Sequence, residues 1–131
     1  MSEIRVTTVS DTAGTGPVTL TKQQAAKAWI NLNGTSTVAI RDSFNVASIA
    51  DEGTGAYQTN FSSNMGNVNY AVSGSSGDGG SASGCWHTTG FNANSYNTSN
   101  LVSSFHQQIY YQTSTTADVS FVYAAVQGDL A

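Results

Sequence analysis

Apolar and polar residues alternate along much of the chain. Tyr57, Thr59 and Phe61 alternate with Gln58 and Asn60. Phe105, Gln107, Ile109 and Tyr111 alternate with His106, Gln108 and Tyr110, and Val119, Phe121 and Tyr123 with Ser120, Val122 and Ala124. A period of two sends successive side chains to opposite faces of an extended chain, so these runs predict β-strands. The last run, DVSFVYAAVQ (118–127), is apolar on both faces. That predicts a strand either central in a sandwich or covered by another subunit.

The first half is less regular. Ile4 and Val6 alternate before the turn-rich Ala13-Gly14-Thr15-Gly16-Pro17, with too little apolar mass to fold alone, so residues 1–21 read as an extended amino-terminal arm. Thr21 and Gln24 fit a capping box, and Ala25, Ala28, Trp29 and Leu32 recur at helical spacing, which predicts a short helix near residues 22–28. Ala28 to Leu32 also reads as a strand entering a hairpin, because Asn33-Gly34 is a strong two-residue turn signal and Thr37 to Ile40 favours β-structure. VAIRDSFNVASI (38–49) then predicts one long, bulged strand, with Val38, Ile40, Phe44 and Val46 on one face. Asp51 to Gly55 is turn chemistry, and the strand at Tyr57 to Phe61 completes a second hairpin. Asn69 to Ser73 is a short strand. GSSGDGGSASG (74–84) reads as a flexible loop, and Cys85 to Asn100 as a long surface loop with short strand pieces. Together these predict an all-β, antiparallel, jelly-roll-like β-sandwich of seven or eight strands over residues 22–131, preceded by the arm.

Composition narrows the function classes. Charged residues are 9% of 131, the apolar share is 39% and the formal net charge is -4, from four Lys and Arg against eight Asp and Glu. The basic residues do not cluster, which argues against nucleic-acid binding. No apolar stretch approaches the roughly 20 residues that span a bilayer, and the amino terminus carries no signal-like apolar run, so the expected product is made in a cytoplasm without membrane insertion. Cys85 is the sole cysteine; an intrachain disulfide is excluded, and stability must come from packing or oligomerisation.

A family resemblance becomes specific at KAWINLNGT (27–35), followed by VAIRDSFNV (38–46) and the Gly53-Thr54-Gly55 turn. These segments resemble a recurrent module of phage tail fibres and other virion-surface proteins, including those of marine and cyanobacterial phages. The similarity extends back to Ile4-Arg5-Val6 and Ala13 to Pro17 and forward to Val119–Asp129; residues 74–100 share no pattern with it. The resemblance implies a virion protein that mediates host attachment, usually as a homotrimer, and it supplies no catalytic residues. A purely structural virion role, as a head decoration, adaptor or collar protein contacting other virion proteins, is the alternative.

Enzyme chemistry finds little support in the residues. Nucleophilic hydrolysis needs a Ser or Cys with a His; Cys85 and His87, two apart, would share a face in a strand, but His87 is expected to make ordinary surface hydrogen bonds. Asp42, Asp51, Glu52, Asp78, Asp118 and Asp129 are available for a glycosidase pair, yet most sit in turns or at strand ends, where Asp favours local backbone hydrogen bonds. His87, His106 and Cys85 show no metal-ligand spacing, and no cofactor motif is present. The stronger signal is sugar recognition, which combines a flat aromatic face with planar or hydroxyl hydrogen-bonding groups. Trp86, His87, Phe91, Asn92 and Tyr96 supply that mixture and are the expected glycan-binding residues, presented by the loops to a host-surface polysaccharide.

Overall fold

The computed structural model of the chain describes residues 25–77, 85–89, 100–111 and 115–131. Their secondary structure is nine antiparallel strands: β1 (Ala28–Asn33), β2 (Ala39–Phe44), β3 (Val46–Gly53), β4 (Ala56–Phe61), β5 (Ala71–Gly77), β6 (Cys85–Thr89), β7 (Ser104–Tyr111), β8 (Thr115–Thr116) and β9 (Phe121–Gln127). One sheet has the order β2-β1-β9-β5, and the other the order β3-β4-β7-β6, with β8 pairing beside β7. The two sheets pack face to face, so the expected all-β antiparallel sandwich is the observed fold. The expected arm, residues 1–21, lies outside the described residues.

Alternation decides what each sheet buries. On the four-stranded sheet, Ala28, Ile30 and Leu32 of β1 and Val122, Ala124 and Val126 of β9 point inward and are almost fully buried. From the other sheet Tyr57, Phe61, Phe105 and Ile109 meet them. Phe61 packs edge-on against Tyr70 with ring centroids 5.7 Å apart, and lies 5.7 Å from Phe105. The final strand is therefore central, between β1 and β5, and only one of its apolar faces is used by the core.

Four expectations give way to specific contacts. Among the described residues there is no helix: residues 25–27 are irregular and β1 begins at Ala28, because Ala28, Ile30 and Leu32 satisfy the core with period two; residues 22–24 lie outside the described set. The Asn33-Gly34 hairpin does join β1 to β2, but through residues 34–38. Gly34 is claimed by the core: its N–H donates to Val119 O at 3.0 Å, and an added Cβ would sit 2.3 Å from the Tyr57 hydroxyl oxygen. The long strand 38–49 is broken at Asn45, which takes a left-handed φ of 55° and passes the chain from one sheet to the other. Its amide holds that corner, with Nδ2 donating to Lys27 O and Ser63 O at 3.1 Å each and Oδ1 accepting from Ser63 N at 2.7 Å. The kink separates Phe44, 52% exposed, from Val46, which packs on the core, and an extra residue in β2 at Arg41 separates it from Ile40, which also packs there. Finally, Gly74 to Gly77, expected in a loop, continue β5, because the backbone ladder to β9 needs no side-chain bulk.

One end of the sandwich is closed by a polar clasp. The Tyr57 hydroxyl, 3.0 Å from Gly34 O and 3.2 Å from Asp118 Oδ1, reaches from one sheet to the edge of the other. Asp118 Oδ1 also accepts from Gly55 N at 2.7 Å, fixing the β3–β4 turn, where Gly55 has a φ of 67°. Burial, and then the neighbouring Asp118 carboxylate, push the Tyr57 phenol well above its ordinary range, so it remains a neutral donor. Replacing Tyr57 with Phe removes the hydroxyl that meets the buried Gly34 O and should lower unfolding stability by about 1–3 kcal/mol in urea titrations. An unchanged midpoint would show that the clasp is dispensable.

Candidate ligand-binding face

The outer face of the four-stranded sheet carries the side chains that the core does not take. Pairing registers align them in rows across the strands. Phe44, Trp29, Ala125 and Ser73 form one row, and Asp42, Asn31, Tyr123 and Ser75 the next. Trp29 is 37% exposed, Tyr123 40% and Phe121 36%, so three rings of β1 and β9, with Phe44 of β2, lie open on one face. Ala125 and the serines are small. Trp29 and Tyr123 stand diagonally across Ala125, a spacing of roughly 7–8 Å between backbone positions. The result is an open depression of about 540 Å³ whose lining includes Trp29, Asn31, Ser73, Ser75, Tyr123 and Ala125, within the size range of small-ligand sites.

A bulge in β2 fixes one side of this face. Asn31 pairs with Asp42 but Leu32 pairs with Ile40, leaving Arg41 as the extra residue. Its guanidinium donates to Leu32 O at 3.0 Å, to Asn33 Oδ1 at 3.1 Å and to Ser120 O, and lies 4.6 Å from the Phe121 ring centroid. Phe121 in turn stacks on Tyr123, with centroids 6.2 Å apart and planes 10° from parallel. Arg41, Phe121 and Tyr123 thus form a buttress that orients the Tyr123 wall of the depression, with the cation–π contact adding attraction. Asn31 is less well served, since its Oδ1 is shielded from solvent and has no hydrogen-bond partner.

Of the residues expected from the sequence, the two that are described belong to the other sheet. Trp86 lies in β6 at the register position of Tyr110, in the opposite sheet. His87, paired with Ile109, belongs to the core-facing row and is half-buried. Its ring fills the space left by Gly74, where a Cβ would come within 2.3 Å of Cε1. Burial lowers its pKa. The Ser75 backbone and the Gln107 side chain oppose that shift but reach neither ring nitrogen with hydrogen-bond geometry. Phe91, Asn92 and Tyr96 lie outside the described residues. The aromatic face was not anticipated, although its signal stands in the sequence: β1 and β9 each hold a complete aliphatic set on one parity and aromatic or amide side chains on the other.

Four of the carboxylates weighed for catalysis are engaged in the fold. Asp42 Oδ1 accepts from Ser43 N at 2.9 Å, Asp51 Oδ1 from Gly53 N at 3.1 Å, and Asp118 serves the clasp. Glu52 Oε1 lies 3.3 Å from Nε2 of the buried His106. Comparison with known proteins finds no matching family model, no matching curated protein and no matching solved structure.

The position of His87 makes a pH dependence. Its native pKa lies below the value of about 6.5 in an unfolded chain, so on acidification through that value the unfolded state takes up a proton that the native state refuses. The stability contribution is complete above pH 6.5 and declines as pH falls toward the native pKa, with a slope of at most about 1.4 kcal/mol per pH unit. Thermal melts between pH 7.5 and 5 should show this decline, and a His87→Leu variant should show a shallower one. Equal slopes in the two proteins would remove the assignment.

Proposed function

We propose that this chain is a non-catalytic recognition module of a phage virion, a distal tail-fibre or spike segment, which attaches to host-surface glycan through the outer face of its four-stranded sheet. The observation that carries the reading is the group of exposed rings on one sheet face, Phe44, Trp29, Tyr123 and Phe121, interleaved with neutral amide and hydroxyl groups. Aromatic faces accept the C–H faces of sugars, and flanking amides and hydroxyls pair with their hydroxyl groups. The resemblance to virion-surface modules supports the biological setting. Its segments 27–35 and 38–46 contain β1 and β2, which contribute Trp29, Asn31 and Phe44.

Such contacts are individually weak, and repetition strengthens them. A homotrimer presenting three equal faces raises apparent affinity by effective concentration, without new contacts. Surface for a neighbouring subunit exists away from the ligand face, where Leu101, Val102 and Leu130 are exposed around the Met65 bridge. A structural role in the virion without host contact has one observation in its favour, since four exposed rings also suit burial against another virion protein.

Two measurements separate these readings. Labelled protein should bind host cells and be displaced by their purified surface polysaccharide, and Trp29→Ala combined with Tyr123→Ala should weaken binding at least tenfold while leaving the melting temperature within a few degrees. Binding to capsids or tails, with no cell binding, favours the structural role. In sedimentation equilibrium the chain should run as a trimer; a stable monomer at micromolar concentration would refute that arm.

A further inference from the structure

We infer that the depression between Trp29 and Tyr123 seats one neutral hexopyranose unit, its C–H face on the aromatic walls and its hydroxyl groups on Asn31, Ser73 and Ser75. This rests on the glycan-attachment reading and narrows it to one subsite and one ligand class.

Charge makes the first selection. The residues lining the depression are all uncharged. Arg41 is committed to three acceptors and the Phe121 ring. Asp42 borders Asn31 in the adjacent strand, and Lys27 precedes Trp29 by two residues, but neither lines the depression. An acidic sugar seated here would lose water from its carboxylate without gaining a cation, and an amino sugar cation would gain no carboxylate.

Hydrogen-bonding capacity makes the second. Asn31 Oδ1 is withdrawn from solvent and unpartnered, a condition that folded proteins seldom leave unrelieved. Rotation about the broad terminal torsion of the Asn side chain presents either its oxygen or its nitrogen to a ligand, and a sugar hydroxyl serves both as donor and acceptor. Ser73 and Ser75 add two hydroxyls on the facing strand, each in the row of a wall residue: Ser73 with Trp29 across Ala125, and Ser75 beside Tyr123. An unsubstituted aromatic ligand would use the walls and leave these three groups unpaired, whereas a pyranose uses both.

Shape makes the third. Ala125 is the small floor between two rings, and the Arg41–Phe121–Tyr123 stack fixes one of them before ligand arrives, which lowers the ordering cost of binding. Arg41 is thus a positioning residue of the site.

The test is an NMR titration of the full chain with methyl β-galactoside, methyl α-glucoside and methyl α-mannoside, against glucuronate and N-acetylneuraminate, in the unsubstituted protein and in its Asn31→Ala and Arg41→Ala variants. At least one neutral glycoside should give saturable shifts at the Trp29 indole and the Asn31, Ser73 and Ser75 amides, and bind at least tenfold more tightly than either acid. Asn31→Ala should weaken it tenfold or more with an unchanged melting temperature. Arg41→Ala should weaken it while shifting the Tyr123 ring resonances in the unliganded protein. Tighter binding of an acid at these residues, or neutral-sugar shifts confined to other surfaces, overturns the inference. If no sugar binds yet the Trp29 and Tyr123 double variant still loses cell binding, the subsite is refuted and the attachment reading stands. If no sugar binds and that variant adheres normally, both fall.

Discussion

Asp118 gathers at one point the hydrogen bonds that close the sandwich, accepting from Gly55 N in the turn of one sheet and lying within reach of the Tyr57 hydroxyl, which also meets Gly34 O at the end of β1. Carboxylate acceptors of this kind are stronger than neutral ones because the charge sharpens each bond. The geometry has no slack, since Gly34 cannot carry a side chain beside that hydroxyl. At the opposite end Tyr70 plays a related part, its hydroxyl 2.8 Å from both Leu101 O and Ser104 O. Two buried phenols thus stand at opposite ends of the core, and the aliphatic sets of β1 and β9 fill the space between them.

Between these ends the interior is not uniformly apolar. Gln107 donates from Nε2 to Thr59 Oγ1 at 2.8 Å, and its Oε1 faces toward His87 without a bond of its own. This polar seam lies on the inner face of the five-stranded sheet and ends against Gly74 of the other. Gly74 is flanked by Ser73 and Ser75, so the His87 ring backs directly onto the strand that contributes one side of the depression. The absence of a side chain at Gly74 allows the ring and the strand to approach, and so connects packing in the core to the placement of the two serines.

Much of the fold was legible because half-buried strands write themselves as alternation. Tyr57 to Phe61, Phe105 to Tyr111 and the closing strand were read correctly for that reason. The failures have local causes that alternation does not express. Asn45 reverses parity through a left-handed backbone held by its own amide, which a pattern of apolar residues does not reveal. Gly34 was read as half of a tight turn, when its lack of a side chain serves a tyrosine from the other sheet. Gly74 to Gly77 carry no packing signal at all, yet their backbone completes the ladder beside β9. The two-faced apolar character of the closing strand leaves open a central place in a sandwich or cover by another subunit, and only the pairing shows it central, with its second face exposed beside Trp29.

The alternation that builds this face also separates two kinds of heritable change. In β1, β5 and β9 the odd-numbered positions face outward and the even-numbered ones inward, while in β2 the Arg41 bulge and the Asn45 kink leave Asp42 and Phe44 outward on even numbers. Substitution at one parity alters surface chemistry while the other parity preserves folding, wherever the two sets do not share neighbours; at Gly74, packed against His87 between two outward serines, they meet. A lineage carrying such a scaffold can therefore drift in what it touches without renegotiating how it folds, at outward positions such as Ser73 and Ser75 but not at Gly74, whose lack of a side chain the His87 ring requires.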